Sequence, residues 1–117
     1  MRPDDLKKRT KEFAVSLIRL TVKLPQTRTS HLISSQLLRA GTSVGANYRA
    51  CCRARSRADF IAKVKIVEEE CDETLNWLEL LRETGQTQDP ALQTLTSEGQ
   101  EILSIMVASI KTARLHP

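Results

Sequence analysis

Residues Ser30–Phe60 read SHLISSQLLRAGTSVGANYRACCRARSRADF. Within them Ile33, Leu37, Ala40, Val44, Tyr48 and Cys51 recur at steps of four and three, the repeat that gathers apolar side chains on one face of an α-helix. The stripe runs unbroken through Gly41 and Gly45, although each glycine costs a helix interior about 1 kcal/mol relative to alanine. Two of them four residues apart imply close approach of a second backbone, a kink, or a backbone contact to a ligand. Asn47 and Tyr48 follow, and then Arg49, Arg53, Arg55 and Arg57 within nine residues. A site of close packing thus leads directly into a basic cluster.

The same periodicity extends outward on both sides. Upstream, Pro3, Asp4 and Asp5 suit the first turn of a helix, where proline is tolerated and carboxylates meet the positive end of the dipole. Leu6, Thr10, Phe13, Leu17, Leu20 and Leu24 form its seam, widened by Ala14 and Ile18. Pro25 stops this helix, Pro25–Thr29 is a short connection, and Ser30 is placed to cap the second helix. Downstream, Ser56 with Asp59 three residues on resembles a capping box for a third helix. Its seam is Val64, Val67, Cys71, Thr74, Leu78 and Leu81, flanked by Phe60, Ile61, Leu75 and Trp77, and Gly85 suits its end. Asp89 and Pro90 open a fourth helix with Leu92, Leu95, Gly99, Ile102, Met106, Ile110 and Ala113 inside, broadened by Leu103 and Val107. Four amphipathic helices with short connections define an all-α, antiparallel up-down-up-down four-helix bundle, a single domain over residues 1–117.

The net charge of +4 conceals an asymmetry. Residues 1–65 carry 15 Lys and Arg against 4 Asp and Glu, a net +11, whereas residues 66–117 carry 3 against 10, a net −7. The first half is a candidate surface for polyanions; the second suits a basic partner or another copy of the chain. Cys51, Cys52 and Cys71 make no Cys-x-x-Cys and have no histidine at ligand spacing, so neither a zinc site nor a disulfide framework is expected. Reduced thiols, charged first turns after Met1 and no apolar run near the length of a membrane span point to a soluble cytoplasmic protein.

Catalytic constellations are missing from the sequence. No glutamate has a histidine three residues later, as inward-facing di-iron sites in bundles require. His31 lies three residues after Arg28 and His116 two after Arg114, spacings that place neither as a general base beside an arginine in the manner of helical toxin ribonucleases. Gly41 and Gly45 follow no strand, so they make no nucleotide-binding fingerprint. We expect no enzyme, no cofactor, no metal and no small-molecule substrate. Nucleic acid is the expected ligand, with Arg39, Arg49, Arg53, Arg55, Arg57 and Lys63 as its contacts. Tyr48 is the one tyrosine, so recognition through backbone or shape is expected rather than base stacking. The alternative is that these arginines meet the acidic run Glu68–Glu73 of a neighbouring subunit.

The segments Ser35–Arg49, Ala58-Asp59-Phe60 and Glu70–Leu81 resemble the four-helix-bundle family of 23S rRNA intervening-sequence proteins, with the likeness spanning about Phe13 to Gly85 and extending loosely through the fourth helix. That resemblance implies a bacterial, non-enzymatic bundle that assembles as a homopentamer. From the glycine spacing, Gly41, Gly45, Asn47 and Tyr48 are expected at packing or oligomer contacts. The resemblance also implies kinship with the accessory protein of diversity-generating retroelements, a basic pentamer that binds nucleic acid and a reverse transcriptase. A protein-interaction adaptor that docks such an enzyme is therefore the alternative function. At position 50 similar members suggest an acidic residue; here Ala50 leaves the surface more basic.

Overall fold

A computed structural model of the chain describes residues 2–116. Four helices follow one another: α1 (Pro3–Val22), α2 (Arg28–Cys51), α3 (Arg57–Glu83) and α4 (Ala91–Leu115). No strand occurs among the described residues. At 1.5 Å per residue even α1 is about 30 Å long, while the connections 23–27, 52–56 and 84–90 span at most about 18–25 Å. They are too short to return to the starting end, so consecutive helices run antiparallel. Each packs on its neighbours in sequence and α4 closes on α1, giving a rod of 49 × 20 × 19 Å.

Every seam position named above is buried except Ala113, which is half-buried. Thr10 and Thr74 lie inside the seam because their hydroxyls donate within their own helices, Thr10 Oγ1 to the Leu6 carbonyl at 2.8 Å and Thr74 Oγ1 to the Glu70 carbonyl at 2.7 Å. No buried side-chain polar atom among the described residues is left unpaired. The α1–α4 seam is fastened by Arg9, whose guanidinium donates twice to Glu98 at 2.7 Å and approaches Glu101 at 2.9 Å. Those carboxylates, Glu98 first, hold Arg9 still more firmly protonated than an ordinary arginine.

Three local expectations are corrected. The cap of α2 is Thr27, whose side chain accepts from Ser30 N at 3.1 Å; Ser30 itself is buried, and its hydroxyl donates to Gln86 Oε1 at 2.7 Å. The extra turn arises because α1 ends at Val22, before the proline, and frees residues 23–27 for the reversal. Leu24 precedes Pro25 and is disfavoured from helical geometry for that reason. Ile18 stands 43% exposed and does not widen the seam. The remaining signals fit: Ser56 caps α3, Gly85 ends its C-terminal turn with φ +64, and Asp89 accepts from Ala91 N at 2.9 Å at the start of α4.

Candidate nucleic-acid interface

The basic cluster straddles the reversal from α2 to α3. After Cys51 the chain leaves α2 through tight turns, with Arg53 N donating to the Ala50 carbonyl and Ala54 N to the Cys51 carbonyl, each at 3.1 Å. Ser56 then accepts from Asp59 N at 3.0 Å, while Asp59 accepts from Arg55 N at 3.0 Å and from Lys63 Nζ at 2.6 Å. The Lys63 ammonium first, and the Arg55 amide second, hold the Asp59 carboxyl below the usual range. The connection is therefore pinned, and its arginines are sent to different faces.

Arg49 and Arg53 border a cleft of about 740 Å³ between α1 and α2. Lys7, Lys8 and Lys11 supply the opposite wall, with Thr10, Ala14, Thr42, Gly45 and Ala46 between, and no carboxylate lines it. Arg55 borders a separate cleft at the end of the rod, beside Tyr48, Cys52 and Phe60. Arg57 is exposed at the first position of α3. Arg49 and Arg53 favour the negative end of the α2 dipole; Arg55 and Arg57 oppose the positive end of α3, so helix stability does not account for them.

Two of the six expected contacts are occupied otherwise. Arg39 is paired across α2 and α3 with Glu73 and, at 3.5 Å, with Glu70; Arg39 first and Trp77 second hold Glu73 below the usual carboxylate range. The antiparallel reversal brings Arg39 beside this part of the acidic run. Lys63 is spent on Asp59 one turn earlier. Glu68, Glu69 and Asp72 line instead a cleft between α3 and α4, with Lys65, Leu103 and Val107. In the ring of helices that face lies opposite the α1/α2 face.

Gly41 and Gly45 serve close packing within the chain: a Cβ at Gly41 would overlap Leu17 Cδ1, and one at Gly45 would lie 3.2 Å from Thr10 Oγ1. Asn47 is half-buried and donates to the Ser43 carbonyl at 2.9 Å. Tyr48 is buried, and burial first, then the neighbouring Cys52, raises its hydroxyl pKa. Burial likewise pushes the Cys51 thiol to about 11 and Cys71 to about 12, while Cys52 is exposed; all three are free. No group of three or more His, Cys, Asp or Glu among the described residues could hold a metal ion. No helix there is long and apolar enough to cross a membrane.

Lys7, Lys8 and Lys11 were not among the residues expected to contact nucleic acid. Their signal lay in the seam: Leu6 and Thr10 fix the inward direction of α1, and Lys7 and Lys11 flank it. Which helix they flank depends on which side α2 packs, and one helix's periodicity does not specify that.

These features define a small antiparallel four-helix bundle with one basic and one acidic side. The chain belongs to the 23S rRNA-intervening sequence protein family, whose profile matches residues 4–108. It is also similar to the crystal structure of a protein with unknown function from the S23 ribosomal protein family of Bacteroides thetaiotaomicron VPI-5482. That similarity has 37% identity and a TM-score of 0.85, and covers 95% of this chain and 99% of the other. No match is found among curated proteins.

Proposed function

We propose that this chain is a non-enzymatic, cytoplasmic bacterial protein that assembles with itself and binds structured nucleic acid, RNA ahead of DNA, through the basic half of its bundle. The observation that carries this reading is the cluster of cations around the α2–α3 reversal and the facing turns of α1, where Lys7 and Lys8 meet carboxylates only in exposed pairs at 3.9 Å. Arg49 and Arg53 border a cleft with no carboxylate in its lining, even though the chain has 14 Asp and Glu to spend. Arginine donates in pairs to phosphate oxygens, and clustered cations gain affinity by releasing the counterions of a nucleic acid. The family description, 23S rRNA-intervening sequence protein, supports RNA as the first ligand to try.

Self-assembly draws support from Val22 and Leu32, 74% and 61% exposed, and from the opposite charges of the α1/α2 and α3/α4 faces. A pentamer is the expected number from the family resemblance. Light scattering on the eluting protein tests assembly, and a monomer across micromolar concentrations would remove it. Gel shifts with ribosomal RNA fragments at low and high salt test binding: shifted bands at low salt that fade at high salt are expected, and no shift at low salt sinks the reading. The acidic α3/α4 face favours a second reading, an adaptor for a basic protein such as a reverse transcriptase. A protein partner recovered after nuclease treatment would favour it.

A further inference from the structure

We propose that the cleft between α1 and α2 is a track for a single phosphodiester strand, held by Lys7, Lys8 and Lys11 on one wall and by Arg49 and Arg53 on the other. This rests on the nucleic-acid reading above and narrows it to one site and one ligand feature, the backbone. Five cations line it, from α1, from α2 and from the turn that follows α2. Lys7 and Lys11 are four residues apart on α1, a spacing at which like charges destabilise a helix. A bound polyanion relieves that repulsion. Asp4 and Glu12 approach Lys7 and Lys8 only to 3.9 Å, are strongly exposed, and line no part of the cleft. Exposed pairs of this kind neutralise little.

The floor fits the same ligand. Ala14, Gly45 and Ala46 are short, and the longer cationic side chains line the cleft beside them. No aromatic side chain lines it and no amide side chain reaches into it, so bases are neither stacked nor read at their edges. Thr10 and Gly45 hold α1 and α2 in close contact, so a strand lies along the groove over that contact rather than between the helices. Nothing in the lining distinguishes a ribose from a deoxyribose, and the track accepts either.

The test uses fluorescence anisotropy with a labelled oligouridylate and the matching oligodeoxythymidylate, on the full chain. Lys7→Glu with Lys11→Glu is compared with Lys111→Glu with Arg114→Glu, exposed cations of α4 outside the basic half, two variants with the same change in net charge. The cleft variant is expected to lose about tenfold in affinity per reversed charge, about a hundredfold in all, and the control less than about threefold. Lys7→Gln with Lys11→Gln serves if circular dichroism shows that the reversal unfolds the chain; about a tenfold loss is then expected. Equal losses in the cleft and control variants overturn the track while leaving nucleic-acid binding in place. A tenfold preference between the two oligonucleotides overturns recognition by backbone alone, and binding of duplex without single strand overturns the single-strand assignment. Wild-type protein that binds no nucleic acid at low salt overturns both the track and the reading beneath it.

Discussion

Gly41 and Gly45 stand one turn apart on α2 and break the same local preference, yet their neighbours differ. Leu17, whose Cδ1 a Cβ at Gly41 would overlap, is fully buried, so it must change its side-chain conformation within the core. Thr10 Oγ1, 3.2 Å from a Cβ at Gly45, needs to shift by only a few tenths of an ångström. Gly41→Ala is therefore expected to destabilise by about 1–3 kcal/mol through overpacking. Gly45→Ala should lie within about 1 kcal/mol of neutral, because the helix gains about that much from losing a glycine. Urea unfolding of the two variants measures this directly, and a Gly45→Ala loss as large as that of Gly41→Ala would show that Thr10 cannot yield. The glycine spacing was legible in the sequence as a sign of close approach. Its partners were not, because Leu17 and Thr10 are selected by how far α1 slides along α2.

At the scale of helices and their connections, seams and most caps were readable while side-chain partners across helices were not. Ser56 and Asp59 announced the start of α3 because both act within four residues of chain. Ser30 had the same local chemistry but is claimed by Gln86, far away in sequence, and the capping fell to Thr27. Contacts of carboxylates at these termini, and of Glu73 between α2 and α3, set the pH response. Asp59, Glu73 and Asp89 have carboxyls held below their usual range, by Lys63, by Arg39 and by the Ala91 amide respectively as the largest causes. Their stabilisation is complete above the unfolded carboxylate pKa of about 4 and is lost as pH falls through the lowered folded values. Cys51 and Cys71 are raised, so their contribution is complete below the ordinary thiol pKa, 9.0, and is lost as pH rises through about 11 and about 12. The thermal midpoint, followed by circular dichroism, should stay level from about pH 5 to 8 and fall on both sides. A midpoint that rises as pH drops from 5 to 3 would contradict this account of the caps.

Across the whole molecule, the sequence divided charge between two halves and the fold turns that division into two faces. Because α1 and α2 are adjacent, as are α3 and α4, most of the +11 half lies on one side of the rod and the −7 half on the other, with Arg57, Lys63 and Lys65 carried over onto α3. The division itself was legible from the order of residues. The composition of the basic site was not: Arg39 and Lys63 are drawn into ion pairs by α3, and Lys7, Lys8 and Lys11 are added by the packing of α1 on α2. The measurement that most directly tests nucleic-acid binding by this face is the affinity for a labelled single-stranded oligonucleotide across a series of salt concentrations. If the five cleft cations each neutralise a phosphate, log K falls against log salt with a slope of about −3.5. No binding at the lowest salt, or an affinity that does not change with salt, would contradict the account.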